Sequence, residues 1–359
     1  MSTIAATSKR HHYPALDGLR GVAVAAVVGY HLWPAVAPGG WIGVSLFFTL
    51  SGFLIVGLVD RGIAAGEFDG HVFYARRARR LLPAAGVTFA AVLVATWISQ
   101  PELLDRVRGD VVASVAYVAN WRQAAEPGGY EAIFDLEPRP LGHIWSLAIE
   151  EQVYLVVPGL LVLTRRPVLV LSGLAAVGSA GLWFWWGDAD LYFATPVRAL
   201  EVLAGGALAL VVNRRGIPRI PAGPVLGLGL PAMLLLAGTV AETDVVPHPW
   251  ILPAMAVGLW VPLVAAALSG SGPLESRSLR WLGERSYGVY LFHWPLIELT
   301  GWHPVVILGV TLALAEVSYT LVEMPVRMGS LVRTAPISRL LGATSVVALV
   351  AVAAPLVSP

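Results

Sequence analysis

The residues of this chain that could do chemistry begin with an arginine and a histidine on one apolar helix. Arg20 closes the stretch Leu16-Asp17-Gly18-Leu19-Arg20, and the apolar run behind it ends at Tyr30-His31-Leu32. Eleven positions at 3.6 residues per turn is close to three turns, which puts both side chains on one face, about 16 Å apart along the axis. Ionisable groups in a helix apolar enough for a bilayer are costly and are kept mostly for substrate or ion chemistry. A neutral imidazole can take a proton near neutral pH, and a guanidinium fork binds anions. A snorkelling arginine and a hydrogen-bonded packing histidine would account for the pair alone, but other constellations accompany it.

The run Gly39-Gly40-Trp41-Ile42-Gly43-Val44-Ser45 continues through Phe47-Phe48-Thr49-Leu50-Ser51-Gly52-Phe53. It carries two serines among glycines that let helices approach closely. Phe73 to Pro83 holds Arg76, Arg77, Arg79 and Arg80, more cation than orientation requires, and is the natural seat for the phosphates of a donor. Arg76 and Arg79 are better read as a topology or anionic-lipid signal. His143-Ile144-Trp145-Ser146 opens a further span carrying Glu150, Gln152 and Tyr154, and Glu150 shares a helix face with Tyr154. Ser286-Tyr287-Gly288-Val289-Tyr290 leads to His293, again on the face of Tyr290.

The elements that must position these groups are membrane helices. Of 359 residues, 57% are hydrophobic and 13% charged, which points to a polytopic membrane protein. Apolar runs fall at Leu16–Trp33, Trp41–Val59, Leu81–Ser99, His143–Thr164, Val168–Trp186 and Phe193–Val212, then at Val225–Ala241, Trp250–Leu268, Ser286–Thr300, Val305–Val322 and Leu340–Leu356. With a cytoplasmic N-terminus, the outer loops hold only Arg106, Arg108, Arg122 and Arg139, and Arg20 and Arg198 lie within spans. Every other lysine and arginine falls inside. Lys9, Arg10 and Ala35-Val36-Ala37 imitate a signal peptide, but Asp17, Arg20 and His31 are out of place in a disposable segment, so the helix is expected to remain. The outer loop Gln100 to Gly142 sets four arginines against seven carboxylates, and its apolar part, Asp110–Trp121, is expected to be a helix on the outer face. The net charge of +1 singles out no partner, and no nucleic acid is expected. The absence of cysteine excludes disulfides, thiolate metal sites and a thiol nucleophile.

In this order the motifs resemble the acyltransferase 3 family of integral-membrane O-acyltransferases, over nearly the whole chain. The matching features are the arginine–ten residues–histidine unit of Arg20 and His31, the Gly-Val-x-x-Phe-Phe-x-Leu-Ser-Gly-Phe segment, and the Arg77/Arg80 pair. Asn120-Trp121, His143 to Tyr154, and Ser286 to His293 match as well. The resemblance implies an all-α bundle of ten transmembrane helices in the plasma membrane. An acyltransferase domain over 1–335 would be followed at 336–359 by an eleventh helix, with no soluble domain after it. It also implies transfer of an acyl group, acetyl foremost, from cytosolic acyl-CoA as co-substrate to a hydroxyl of an extracytoplasmic carbohydrate, glycolipid or glycosylated metabolite. No resident cofactor or metal is expected. In that reading His31 is the base, with Glu150 and Ser45 in the catalytic group; Arg20, Arg77, Arg80, Tyr290 and His293 hold the donor; Asn120, Trp121, His143, Trp145, Gln152 and Tyr154 meet the acceptor. Many members carry an aspartate where this chain has Ser45, which can offer His31 only a neutral hydrogen bond, and a substitute for that carboxylate could come from Glu150 or Asp17. Direct transfer in a ternary complex is expected, with an acyl-Ser51 or acyl-His31 intermediate open. The competing readings are a transporter or flippase, which the buried charges also suit, and a non-catalytic sensor or scaffold.

Overall fold

The computed structural model describes residues 12–126, 138–164, 166–186, 189–242, 248, 250–269 and 272–327, and among them every regular element is helical. Pro14, pre-set for a first helical turn, opens α1 (Pro14–Leu32). Then come α2 (Ile42–Ala64) and α3 (Gly70–Ser99), and on the expected outer segment α4 (Leu104–Val115) and α5 (Ala119–Ala124). Next are α6 (Trp145–Leu163), α7 (Pro167–Trp186), α8 (Thr195–Arg215) and α9 (Ala222–Thr239). A bent rod follows, α10 (Ile251–Met255) joined through a π-helical turn over Ala256–Trp260 to α11 (Val261–Ala267). The last elements are α12 (Arg277–Glu284), α13 (Ser286–Thr300), α14 (Pro304–Val317), a second π-helical turn over Ser318–Glu323, and α15 (Met324–Arg327).

Eight of these stretches are long and apolar enough, by length and composition, to cross a membrane: α1, α2, α3, α6, α7, α8, α9 and the rod Pro304–Arg327. The rod Ile251–Ala267 is shorter, and α13 has only 15 residues. The expected eleventh span, 340–356, lies outside the described residues. Leu169, Val177 and Phe184 on α7, and Leu228, Leu234 and Leu235 on α9, are exposed. Water would not tolerate such apolar walls; lipid solvates them.

Glycine sets the crossing of α2 and α8. A Cβ added at Gly52 would lie 1.7 Å from the Val202 carbonyl oxygen, and one at Gly205 would lie 1.8 Å from that of Thr49. The α2 and α8 backbones therefore touch, and only hydrogen fits between them. Above and below this crossing Leu46, Phe48, Leu50 and Trp260 are fully buried.

Two departures from the sequence expectation bear on the site. Helix α3 begins eleven residues earlier than its apolar run, because Asp69 caps it: Oδ1 accepts from the Val72 amide at 3.0 Å. The four arginines thus ride on a helix, where Arg77 and Arg80, three apart, share a face. The expected outer helix is broken at Tyr117, whose φ of 58° lies in the left-handed region. A non-glycine residue there costs about 1–2 kcal/mol, and the cost is held in place by Gln152, whose Nε2 donates to the Tyr117 carbonyl at 2.5 Å.

Candidate active site

Among the described residues, two adjoining cavities gather most of the expected site residues. The larger, about 350 Å³, is lined by Arg20 of α1, by Arg77 and Arg80 of α3, and by Ser51, Glu150, Glu151 and Tyr154, with apolar walls from Phe47, Leu54 and Phe89. The smaller, about 50 Å³, is lined by His31, Tyr30, Trp41, His143, Trp145, Tyr192, Glu242 and Trp294. Val44 and Tyr290 belong to both linings and form the wall between them. The Tyr290 hydroxyl donates to the His143 carbonyl at 2.7 Å and lies 2.7 Å from Ser146 Oγ, from which it accepts.

The hydrogen bonds of His31 fix its tautomer. His293 Nδ1 approaches the carbonyl oxygens of Tyr290 and Val289 at 2.8 and 3.2 Å. A carbonyl only accepts, so Nδ1 carries the proton and, in the neutral ring, His293 Nε2 is an acceptor. His31 Nδ1 lies 2.8 Å from that nitrogen and must donate to it. The lone pair left on His31 is therefore on Nε2. Trp294 packs edge-on against His31 with ring centroids 4.6 Å apart and fixes the plane of the imidazole.

This arrangement places several expected site residues apart from the groups they were expected to serve. His293 is bonded to His31 rather than lining the donor cavity. Ser45, fully buried, accepts from Trp260 Nε1 at 2.8 Å and lines neither cavity. Asp17 pairs with His12 at 2.7 Å. Glu150 accepts from Ser51 Oγ at 2.9 Å and from the Tyr154 hydroxyl at 3.1 Å, in the larger cavity and away from the His31 lining. His293 thus takes the place given to Ser45, Glu150 or Asp17.

The expected donor set divides in the same way. Arg77 makes a bidentate ion pair with Glu151 and lies over the Tyr154 ring, its Cζ 3.6 Å from the centroid, so its charge is already balanced. Arg20 donates to Ser286 Oγ at 3.1 Å, and Arg80 lies within electrostatic range of Arg20 and Arg327. Arg20 and Arg80 line the same cavity as Arg77, and the buried Glu323 carboxylate lies within electrostatic range of both. Arg76 is exposed and Arg79 Nε bonds the Ala75 carbonyl at 3.3 Å, in keeping with a topological role for both.

Of the expected acceptor residues, His143 and Trp145 share the His31 cavity and Tyr154 lies in the other. Asn120, Trp121 and Gln152 line neither. Asn120 Nδ2 bonds the Phe193 carbonyl and Thr195 Oγ1, both at 2.9 Å, and Gln152 Nε2 bonds Asn120 Oδ1 at 2.9 Å. These residues knit α5, α6 and the start of α8 together. The expected outer element is locked by charge to the segment that leads into α6: Asp110 takes two bonds from Arg139 at 2.8 and 3.1 Å and one from Arg122 at 2.9 Å. Trp294 Nε1 donates to the Arg139 carbonyl at 2.8 Å. Burial works to lower the Arg139 pKa, but the hydrogen bonds and charges of Asp110 and Glu126 outweigh it and hold the guanidinium above its ordinary value.

The sequence reading missed Tyr30, Trp41, Tyr192, Glu242 and Trp294. Buried Arg198 supports this wall, with its Cζ 4.9 Å from the Tyr192 ring and 5.3 Å from the Trp145 ring, and its Nε 3.1 Å from Glu201 Oε1.

A helical bundle with eight helices long and apolar enough to cross a membrane, and with a histidine in one internal cavity and arginines in its neighbour, defines a multi-pass membrane protein. The acyltransferase-domain family model matches residues 13–353, and the chain belongs to that family. It is 33% identical over 357 residues to the peptidoglycan O-acetyltransferase OatA of Listeria monocytogenes serovar 1/2a, covering 89% of this chain and 56% of that protein. It is 38% identical over 356 residues to the putative peptidoglycan O-acetyltransferase YrhL of Bacillus subtilis strain 168, again covering 89% and 56%. To the O-acetyltransferase OatA of Staphylococcus aureus strain NCTC 8325 / PS 47 it is 32% identical over 356 residues, covering 88% and 57%. The chain spans about half the length of these curated relatives. No solved structure matches it.

Proposed function

We propose that this protein is a membrane O-acyltransferase that moves an acyl group, acetyl foremost, from acyl-CoA to a hydroxyl of a carbohydrate of the cell envelope. The observation that carries the reading is His31, an imidazole with its Nε2 lone pair left over, in a small aromatic cavity one wall away from a larger cavity lined by arginines. The names of the relatives supply the acetyl group and the cell-wall acceptor.

In this reading Arg20 and Arg80 hold the anionic head of the donor, in the cytoplasm under a cytoplasmic N-terminus. Its acyl end is presented at the Val44–Tyr290 wall. His31 Nε2 takes the proton of the acceptor hydroxyl as the oxygen attacks the thioester carbonyl. The imidazolium so formed is stabilised through its Nδ1–H bond to His293. It then returns its proton to the departing thiolate, giving the ester and free CoA. The acceptor enters from the outer face.

The test is purified protein in vesicles with acetyl-CoA and a β-1,4-linked N-acetylglucosamine oligomer. Free CoA and acetylated sugar should appear together, and His31→Ala should reduce both at least a hundredfold while the protein still folds. Turnover of His31→Ala near wild type would refute the role of His31, and uptake of solute without CoA release would favour a transporter. One contact favours a second reading: Ser51 Oγ lies 2.9 Å from Glu150 in the arginine-lined cavity, a geometry that suits an acyl-Ser51 intermediate. Labelled acetyl-CoA without acceptor would then leave label on Ser51.

A further inference from the structure

The segment expected on the outer face reaches the arginine-lined cavity through a turn that no motif announces. Ser114, Val115 and Tyr117 line that cavity together with Arg20, Arg77 and Arg80. The turn is sunk into the bundle. Gln152, whose Nε2 holds the Tyr117 carbonyl at 2.5 Å, stands about 10 Å along the axis of α6 from its first residue, Trp145. Backbone polar groups at such depth need partners, and these have them. The Val118 amide donates to the Ala113 carbonyl at 2.8 Å, and the Tyr117 amide donates to the Ser114 carbonyl at 3.1 Å.

Those two bonds form the pattern in which α-helices commonly end on a residue in the left-handed region. Glycine usually fills that position, because it has no Cβ. Here Tyr117 fills it, at φ 58°. Strain of this kind persists only where the surroundings impose it, and it gathers at functional sites. The surroundings are explicit. Gln152 Nε2 also donates to Asn120 Oδ1 at 2.9 Å, and Gln152 Oε1 accepts from Thr195 Oγ1 at 2.5 Å, so α5, α6 and the start of α8 all grip the turn. Val112 and Val118, on either side of it, are exposed, whereas the tyrosine turns inward to the cavity.

Glycine would make the same backbone bonds without strain, so the reason for tyrosine lies in its side chain. Arg77 and Glu151 stand within electrostatic range of the phenol and are paired with each other. This part of the cavity is polar but balanced in charge, which suits a neutral hydrogen-bonding group rather than a phosphate. A phenol can donate to a carbonyl or accept from an N–H. Acyl-CoA has a stretch of that chemistry, the amide-bearing arm between its phosphates and its thioester. We infer that Tyr117 is a binding residue for the donor, in contact with this neutral arm, and that the strained turn is kept to carry it there. The identity of the donor rests on the acyltransfer reading; the placement of Tyr117 in the cavity does not.

The test uses the full chain in detergent, with CoA as the probe. Tyr117→Gly relieves the backbone and removes the phenol. It should unfold at or above the wild-type temperature, yet bind CoA at least tenfold more weakly by titration calorimetry. The adenosine nucleotide of CoA, supplied without the arm, should bind this variant within twofold of wild type. In turnover the KM for acetyl-CoA should rise with the loss of CoA affinity, while the KM for the acceptor moves less than twofold. Tyr117→Phe, which keeps the ring and the turn, should weaken CoA binding threefold or more, and it decides the matter if Tyr117→Gly does not fold. A structural role would instead lower the unfolding temperature of Tyr117→Gly and leave CoA affinity unchanged in Tyr117→Phe, and that result overturns the assignment. So do CoA affinity within twofold of wild type in folded Tyr117→Gly, an equal loss for the nucleotide alone, and a wild type that binds no CoA. CoA binding lost in folded Tyr117→Gly, with no acetyl transfer by wild type, would support the contact and refute the acyltransfer reading.

Discussion

Removing the acceptor that holds His31 tests the hydrogen-bond chain most directly. In His293→Ala the Nδ1–H of His31 loses the partner now 2.8 Å away. In the resting enzyme that is one neutral hydrogen bond. In the proposed mechanism His31 carries the alcohol's proton at the transition state, and the same bond becomes charge-assisted. Hydrogen bonds to charged groups contribute about 1.5–3 kcal/mol, and each 1.36 kcal/mol is a factor of ten in rate. The expected loss is therefore roughly 10- to 160-fold in kcat, by conversion of that range. His293→Gln can place an amide oxygen where Nε2 was and should recover most of the rate. The assay is initial CoA release at saturating acceptor in vesicles, with a thermal unfolding midpoint to confirm folding, since truncating a buried ring also leaves a void. A His293→Ala enzyme within twofold of wild-type kcat would refute the positioning role. A loss confined to the KM for acetyl-CoA would return His293 to the donor site.

Arg80→Ala should raise the KM for acetyl-CoA about tenfold with the fold intact, whereas Arg77→Ala should lower the unfolding midpoint, because breaking a buried pair such as Arg77–Glu151 costs about 3–5 kcal/mol. Equal thermal stability of the two variants would show that Arg77 is not structural. Gly52→Ala forces apart two backbones that touch and should cost at least the 1–3 kcal/mol typical of overpacking; a wild-type melting profile would refute the crossing. Because the chain has no cysteine, single cysteines report topology cleanly. Val36→Cys should react with an impermeant maleimide from outside intact cells and Arg76→Cys should not, and the reverse pattern would invert the proposed orientation.

The helices were legible because each one the membrane must solvate announces itself as an unbroken apolar run. Arg20 was legible too, since a cation in such a run has few structural excuses, and Arg77 and Arg80 were legible from their cluster just before one; the fold brings all three to one cavity. What sequence could not tell was which motif residues touch each other. His31 and His293 are 262 positions apart and meet only because α1 and α13 pack side by side. Asn120, Trp121 and Gln152 look like substrate residues in one dimension, yet they spend their hydrogen bonds on the Tyr117 turn and on the start of α8. Glu242 gave a single weak signal, a carboxylate directly after an apolar span, and the hydroxyls that bond it belong to two tyrosines far away in the sequence. The early start of α3 turned on one capping aspartate, which hydropathy does not register.

The wall formed by Val44 and Tyr290 has an electrical consequence. A protein that let reagents from two compartments meet in an open channel would short-circuit the membrane in which it sits. Here the two chambers end at a side-chain septum, with the Tyr290 hydroxyl tied down on both sides. The bilayer stays insulating between turnovers, so vesicles carrying the protein should hold an imposed proton gradient as long as empty ones do. A glycine at position 290 should make them leak.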